Sequence, residues 1–460
     1  MNKLVIAFVL AAILMVGNLP LAAQTKPPQA LPDNVPGLLV AANKAFAAED
    51  YLAFSKAMEA IRKLRPNNSE YMYQLVIAYA LLDEKTKAYD LMLRMQKQGL
   101  AYDFNATDST VNIRETEVYD YVNDLLVMAG DPMGEAEPVF VLPDTVVMPE
   151  TIRWDESRQK FLVGTIKEGS ILAVDKDGQI NELLKADNEN GLWGIFDILV
   201  DQANNRLWVS SSSVPGFANY DPVDKGRAAL FEFDLKTLQL IHRYPVPVDG
   251  QSHILGSMVL SSKGDIFIVD RALPFIYRKS AGEKKLKAVL AFKEMVSMRG
   301  IAMQPDGRIM YVADREMGIM VVDTNTRRAR LLEVPETLNI GGIDGLYLQN
   351  NRLFIIQNGI KPQRVMRLQL DSSGTRVTGV RPLAIAQPDF DFPSYGTLHD
   401  AHLYYFANSH WPGQAGPQKA VTVLRTALDS SEDLIPLELR HFMDKQDAAK
   451  KKAEEASKNQ

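Results

Sequence analysis

Residues 341–359, with the sequence G-G-I-D-G-L-Y-L-Q-N-N-R-L-F-I-I-Q-N-G, contain the pattern that decides the fold. They predict a short strand carrying Asp344 near its start, a tight turn at Asn350 and Asn351, and a second strand over 352–357. Two strands joined in this way form a β-hairpin. The same pattern recurs along about two thirds of the chain, so the hairpin is the repeating unit of the fold.

The repeats predict a β-propeller. Their second strands are centred on Phe161, Leu207, Ile266, Ile309, Leu353 and Leu403. A strand-only repeat with a period of roughly 40 to 60 residues is typical of propeller blades. The last copy has three evident strands, whereas P-V-F-V-L from Pro138 precedes the first copy without a partner. We therefore predict a six-bladed propeller over residues 138–436, in which the two ends complete one blade together.

A helical period precedes the strands and covers residues 31–128. L-V-I-A-Y-A and K-A-Y-D-L-M, with the small residues Ala57 and Ala88 at matching places, resemble the helix pair of tetratricopeptide repeats. A generic helical bundle is the alternative. Residues 129–137, rich in glycine and proline, predict a linker. The expected fold class is therefore multidomain, with an all-α helical-repeat domain followed by an all-β six-bladed propeller.

The two ends of the chain have distinct compositions. Lys3, an apolar run over residues 4–16 and small residues at Ala22 and Ala23 predict a signal peptide over residues 1–23. The apolar run is shorter than the ~20 residues that span a bilayer, which favours export over a membrane anchor. We expect a periplasmic or secreted protein with no membrane span after cleavage. Residues 437–460 predict a charged, solvated tail.

Composition excludes several classes of function. The net charge of −6 provides no basic face, so nucleic acid is not an expected partner. The absence of cysteine excludes disulfides, zinc–thiolate sites and thiol nucleophiles. The sequence also lacks G-x-S-x-G, H-E-x-x-H and the P-loop pattern, which removes the usual signatures of serine hydrolases, zinc proteases and nucleotide-binding proteins.

Four segments carry a resemblance to a known family. They are P-E-T-I-R-W-D from Pro149, H-I-L-G-S-M-V-L from His253, Q-P-D-G-R-I-M-Y-V-A-D from Gln304 and G-I-D-G-L-Y-L from Gly342. Together they resemble the six-bladed propellers of the senescence-marker-protein, gluconolactonase and luciferin-regenerating-enzyme family, itself similar to NHL-repeat proteins. The likeness covers about 300 residues and is specific for the fold rather than for the chemistry.

The resemblance implies a site at the mouth of the central channel. In the family's lactonases, a glutamate, an asparagine and an aspartate hold a divalent cation that polarises the lactone carbonyl. Glu150 and Asp344 match the two acids, whereas Arg299 stands at the place of the asparagine. A second family asparagine, which binds substrate, is replaced by Gly256 beside Ser257.

Alignment of the six copies predicts which side chains meet at the mouth. The leading residues of the first strands are Glu150, Phe196, Gly256, Arg299, Asp344 and Tyr395. Glu150 and Asp344 are the candidate catalytic residues, and they are metal ligands only if Arg299 turns away. We expect Arg299 to project between these two carboxylates and neutralise them. The candidate ligand-binding residues are Arg299, His253, Ser257, Trp193, Asn358, Asn408 and Trp411.

Alternatives stay open for several of these residues. His253 could be an ordinary loop histidine, and Trp193 and Trp411 could pack in the core. Asp270 and Asp314, which end strands, are expected to bond turn amides.

Two functions remain. The first is an exported binding or scaffold protein with a ligand site at the channel mouth and a protein, peptide or glycan as its ligand. The second is a lactonase or esterase-like hydrolase of the gluconolactonase type. We expect no cofactor, with calcium or another divalent cation as the alternative.

Overall fold

The computed structural model describes residues 31–409, 419–429 and 437–458. It has a helical N-terminal domain followed by a six-bladed β-propeller, which confirms the predicted fold class. The predicted signal peptide lies outside the described residues. Within the described ranges, no helix combines the length and the apolar character that crossing a membrane requires.

The helical domain consists of two helical hairpins and a fifth helix. Side chains of Asn34, Asp50, Asn68 and Thr116 accept hydrogen bonds from the first-turn amides of α1, α2, α3 and α5, so four of the helices begin at a capping residue. The helices are α1 (Val35–Ala47), α2 (Tyr51–Leu64), α3 (Ser69–Leu81), α4 (Lys85–Lys97) and α5 (Glu117–Met128). Helix α3 packs between α2 and α4 and is buried along most of its length. The resemblance to tetratricopeptide repeats stays a prediction.

Two short strands precede the first blade, and each of the first three blades is a four-stranded antiparallel sheet. The strands are β1 (Met133–Gly134) and β2 (Glu137–Leu142); in blade 1, β3 (Pro149–Asp155), β4 (Lys160–Thr165), β5 (Ile171–Val174) and β6 (Ile180–Leu184); in blade 2, β7 (Gly194–Asp201), β8 (Arg206–Ser212), β9 (Ala228–Asp234) and β10 (Leu240–Pro245); in blade 3, β11 (Leu255–Leu260), β12 (Ile266–Asp270), β13 (Phe275–Lys279) and β14 (Leu286–Ala291).

The remaining blades close the ring. Their strands are, in blade 4, β15 (Met298–Met303), β16 (Ile309–Asp314), β17 (Gly318–Asp323) and β18 (Ala329–Leu331); in blade 5, β19 (Ile343–Gln349), β20 (Arg352–Gln357), β21 (Arg364–Leu370) and β22 (Val377–Ile385); in blade 6, β23 (Gly396–His399), β24 (His402–Phe406) and β25 (Val421–Ala427). The first strands contact one another in order around the ring, and β23 contacts β3, so the six first strands surround a central channel.

The outer strand of blade 6 is β2, from the N-terminal side of the propeller. It pairs antiparallel with β25, with Leu142 opposite Val421, which confirms the prediction that the two ends complete one blade. Pro138 is tolerated in this strand because β2 is an edge strand and its pairing with β25 shifts register next to the proline. The ring is therefore closed by hydrogen bonds between strands that are distant in sequence.

The predicted linker at residues 129–137 is partly held by blade 5. Strand β1 pairs with β22, and Gln387 Nε2 donates to the carbonyl of Met133 at 2.8 Å. Gly134 is required here, because a Cβ at this position would lie 2.1 Å from the carbonyl oxygen of Leu383 and its φ is +72°. The composition predicted a linker, but part of its backbone pairs with the open edge of β22.

The helical domain docks on the propeller through a buried arginine. Arg364 donates to the carbonyls of Gln98 at 2.9 Å and Asn339 at 3.1 Å, and to Gln357 Oε1 at 2.8 Å. Burial lowers its pKa to about 10. Gln98 follows the last turn of α4, so the guanidinium also lies at the negative end of the helix dipole.

Further docking contacts come from the same face of the propeller. Asn67 donates to the carbonyl of Met317 at 3.1 Å, and Asn68 donates to Glu316 at 3.0 Å. The amide of Ala101 donates to the carbonyl of Lys361 at 2.8 Å. These partners lie in the β16–β17 and β20–β21 loops, at the end of the ring where the first strands begin. The helical domain therefore sits beside the channel mouth.

The predicted solvated tail is helix α6 (Leu437–Lys458), and its first turns pack on the helical domain. Arg440 donates to Asp131 at 2.8 Å, and Gln96 donates to Glu438 at 2.8 Å. His441 is buried, with its Nε2 3.3 Å from Asp124. Beyond His441 the described side chains are exposed, so only the start of the segment departs from the expectation.

Candidate functional site

A β-bulge occurs near the start of the first strand in five blades. In blades 1, 2 and 5, the strand pairing skips Glu150, Phe196 and Asp344. In blades 3 and 4 it skips two residues each, which include Gly256 and Arg299. A bulge releases a residue from the ladder and re-aims its side chain. Five of the six positions that the sequence alignment brought together therefore lie at β-bulges, and the sixth, Tyr395, directly precedes β23.

The bulges surround a cavity of about 430 Å³ at the channel mouth. Its lining includes three arginines (Arg271, Arg299 and Arg315), three aromatic residues (Phe196, Phe392 and Tyr395) and the polar residues Asp344, Asn358, Ser394 and Ser409. The cavity thus combines a concentration of positive charge with aromatic walls.

Arg271 and Glu150 form a buried ion pair across the channel. The guanidinium carbon of Arg271 lies 5.3 Å from the ring centre of Phe196 and 5.5 Å from that of Tyr395, so two aromatic rings fix its position. Burial raises the pKa of Glu150 to about 7, even though Arg271 favours the ionised form. Glu150 therefore changes charge near neutral pH.

Asp344 has a different environment. Its Oδ1 accepts from Arg315 Nη1 at 2.6 Å, and its Oδ2 accepts from the amide of Asn358. Burial alone would raise the pKa of Asp344, but Arg315 and Arg299 outweigh it and hold the pKa below its usual value. The carboxyl group of Asp344 therefore remains ionised at neutral pH.

Arg299 favours the ionised form of both carboxylates, as expected, but it is not their closest cation. Its Nε lies 3.7 Å from Asp344 Oδ1 and makes no hydrogen bond to the described residues. The close partners of Glu150 and Asp344 are instead Arg271 and Arg315. The reason is geometric. Arg271 and Arg315 follow the second strands of their blades, and from there their guanidinium groups lie closer to the carboxylates than Arg299 does.

A second polar group in the cavity lacks a partner. The hydroxyl of Tyr395 makes no hydrogen bond within the described part of the chain, and the residue is 9% exposed. Burial raises its pKa to about 12, so the hydroxyl stays protonated and can donate. Buried polar groups are usually paired, so Tyr395 and Arg299 mark a place where a ligand could accept hydrogen bonds.

The alignment of the repeats did not identify Arg271 and Arg315. It compared the first strands of the blades, whereas these two arginines follow the second strands. Each follows an aspartate that ends its strand, in I-F-I-V-D-R over 266–271 and I-M-Y-V-A-D-R over 309–315. Asp270 and Asp314 accept hydrogen bonds from turn amides, as predicted. This repeated D-R pair is the signal that could have identified both arginines.

Two glycines make room for these arginines. A Cβ at Gly256 would lie 2.7 Å from the side-chain carbons of Arg271, and a Cβ at Gly359 would lie 2.7 Å from Arg315 Nη2. Gly256 stands where the resembled family has a substrate-binding asparagine. The glycine at this position therefore leaves the space that the side chain of Arg271 occupies.

Some of the other predicted ligand-binding residues lie elsewhere. His253 is buried, with Nδ1 2.7 Å from Asp270 and Nε2 3.0 Å from Asp249, so both ring nitrogens are engaged. The hydrogen bonds to these carboxylates outweigh burial and raise the pKa of His253. Trp193 packs in the core of blade 2, and Arg243 lies 4.3 Å from its ring centre.

The remaining predicted residues do not share one location. Asn358 lies in the cavity, whereas Ser257 lines a second cavity of about 300 Å³ farther down the channel, and Tyr395 separates the two. Asn408 donates to the carbonyl of Ala420 at 2.9 Å within blade 6. Trp411 lies outside the described residues.

The metal site implied by the family resemblance does not fit these residues. Both candidate acidic ligands are paired with a guanidinium, and the third ligand position carries Arg299. A divalent cation at this place would face three positive charges. Across the described ranges, no cluster of three or more His, Asp or Glu side chains is arranged to hold a metal ion.

The fold and the site define a six-bladed propeller protein with an arginine-rich cavity at its channel mouth. No protein-family model matches this sequence, and no curated protein matches it. Solved structures of similar shape include the PQQ-bound aldose sugar dehydrogenase of Streptomyces coelicolor, with 14% identity, a TM-score of 0.43, and coverage of 64% of this chain and 98% of that chain.

Two further structures show the same level of similarity. A putative oxidoreductase, described as a glucose dehydrogenase, from Thermus thermophilus has 13% identity, a TM-score of 0.43, and coverage of 64% of this chain and 99% of that chain. The nidogen–laminin complex has 12% identity, a TM-score of 0.39, and coverage of 51% and 80%. These values are too low to indicate what this chain binds.

Proposed function

We propose that this protein is an exported binding protein that holds a small organic anion at the mouth of its propeller channel. The observation that carries the proposal is the convergence of Arg271, Arg299 and Arg315 on one cavity, where the described residues pair these three cations with two carboxylates. Guanidinium groups match carboxylate and phosphate geometry and form charge-assisted hydrogen bonds with them.

The unpartnered donors define where the anion would bind. Arg299 and Tyr395 both line the cavity, and Arg299 Nε and the Tyr395 hydroxyl are buried without a hydrogen-bond acceptor among the described residues. An anion accepting from both would satisfy two buried donors and balance the excess positive charge. Because the site is largely shielded from water, these interactions would be stronger than at an exposed surface.

The lactonase alternative needs a cation to polarise a carbonyl group, and the charges at the mouth oppose one. We therefore propose a binding role rather than a hydrolytic one. Export to the periplasm or the medium is part of the proposal and follows from the N-terminal sequence. A protein, peptide or glycan ligand on the concave faces of the helical domain and the propeller remains a prediction.

Isothermal titration calorimetry of the mature full-length protein with acetate, sulfate and calcium tests the proposal. We expect both anions to bind and calcium not to bind. Arg299→Gln keeps most of the side-chain volume but removes a charge, and it should weaken anion binding by roughly 10- to 100-fold, the value of one charge-assisted hydrogen bond. Arg376→Gln is the matched control, because Arg376 is exposed and pairs with Glu333 on the surface.

Two outcomes would contradict the proposal. One is calcium binding without anion binding by the natural protein, which would return the site to the lactonase type. The other is anion affinity that Arg299→Gln and Arg376→Gln leave equally unchanged, since binding would then occur outside the cavity.

A further inference from the structure

Phe392 has an unusual backbone at the rim of the cavity. Its φ is +63°, in the left-handed region that bulky residues avoid, and its side chain is 42% exposed. The conformation is held from both sides, because the Phe392 amide donates to Gln363 Oε1 at 3.1 Å and its carbonyl accepts from Ser409 Oγ at 3.0 Å. Strain imposed by surrounding contacts is characteristic of ligand-binding sites.

Core packing does not account for this residue. A ring that is 42% exposed gains only part of the stabilisation that burial provides, and glycine would adopt the same φ without strain. Phe392 instead adds an aromatic ring to the lining of the cavity, which also includes Phe196 and Tyr395. The cavity therefore has an arginine end and an aromatic wall.

The polar groups of the cavity indicate which anions fit. Asn358 uses its amide on Asp344 and the carbonyl of Pro393, and Ser409 donates to Phe392. These two side chains are already engaged, so few uncharged groups of the lining remain to pair with the several hydroxyls of a sugar acid. An unpaired ligand hydroxyl in a buried site costs binding free energy. A ligand with one anionic group and an apolar body avoids this cost.

Resting on the proposed function, we propose that the ligand is an aromatic carboxylate. Its carboxylate would accept hydrogen bonds from Arg299 and the Tyr395 hydroxyl, and its ring would lie against Phe392. Offset or edge-to-face contact between aromatic rings adds to the free energy of apolar burial. Phe392 is in this view a specificity residue, which selects ligands by their ring while the arginines select them by their charge.

Calorimetric titration with naphthalene-2-carboxylate and with acetate tests the proposal. In the natural protein, we expect naphthalene-2-carboxylate to bind at least about tenfold more tightly than acetate. Phe392→Gly should bring the ratio of the two affinities close to one. The melting temperature of Phe392→Gly should change little, because the strain that glycine removes at φ +63° offsets the partial burial that the ring loses. Phe442→Ala, at an exposed aromatic residue of α6, is the control and should keep the natural ratio.

Each of the other results has a definite meaning. If acetate binds and naphthalene-2-carboxylate binds no more tightly, the aromatic class is wrong while the anion site stands. If neither binds, the proposed function fails. If Phe392→Gly lowers both affinities equally and also lowers the melting temperature, Phe392 supports the fold of the rim and does not recognise a ring.

Discussion

Raising the pH through neutrality should weaken anion binding, because Glu150, which pairs with Arg271 of the cavity lining, ionises in this range. Its pKa of about 7 results from burial, which outweighs the opposing effect of Arg271. Within the cavity lining, Asp344 and Tyr395 keep their charge in this range, since the pKa of Asp344 is lowered and that of Tyr395 is raised to about 12. Below the pKa, Glu150 is neutral and adds no negative charge near an anion bound at Arg299. Above it, the ionised Glu150 repels that anion, since Arg299 is one of the charges that act on Glu150.

The size of the effect follows from the charge separation. An ionised Glu150 and an anion bound at Arg299 would lie on the order of 6 Å apart, where two unit charges repel by about 3 kcal/mol at an effective dielectric constant of about 20. This corresponds to a loss of affinity of at most about 100-fold. Because a single proton is involved, the logarithm of Kd can rise by no more than about one unit for each pH unit.

Titration with sulfate is the suitable assay, because sulfate does not change its charge between about pH 6 and pH 8.5. The natural protein should bind sulfate with constant affinity well below pH ~7 and with falling affinity above it. Glu150→Gln should keep the low-pH affinity throughout the range. Constant affinity of the natural protein, or an equal decline in Glu150→Gln, would show that another group is responsible and refute the reasoning.

Two further predictions concern stability. Deleting residues 139–142 removes most of β2, exposes the edge of β25, and should replace one cooperative calorimetric transition of the propeller by a broad one; an unchanged sharp transition would contradict closure by β2. Arg364→Met leaves the carbonyl of Gln98 and the side-chain oxygen of Gln357 without their buried donor, at about 1–3 kcal/mol each, and should lower the free energy of unfolding in a denaturant titration by several kcal/mol. Arg376→Met, on the surface, should have almost no effect, and equal midpoints for the two variants would argue against a docking role for Arg364.

The blades could be predicted because each repeats the same local pattern. Strand alternation, turn residues and spacing are all encoded within one repeat, as in residues 341–359. Even closure was visible, since P-V-F-V-L from Pro138 had no partner in its own neighbourhood. Helix α6 was not recognised as a packed element, because its apolar residues are few and its first turns are positioned by contacts with α4 and α5.

The cavity was predicted only in part, for a physical reason. Glu150, Arg299 and Asp344 occupy equivalent bulge positions, so alignment of the repeats found them. Arg271 belongs to blade 3 and pairs with Glu150 of blade 1, and such a contact depends on the length of a side chain across the channel. The environment of His253, held between two carboxylates, is likewise set by tertiary structure.

Closure by β2 also sets an order of events for folding. The helices and the individual blades are built from contacts that are local in sequence, and such contacts form early at a small cost in chain entropy. Strand β2 is synthesised before the first blade, yet its partner β25 is the last strand of the propeller. During synthesis β2 therefore remains unpaired until nearly the whole chain has emerged. The ring is completed last, so the cavity that depends on all six first strands exists only once the chain is essentially whole.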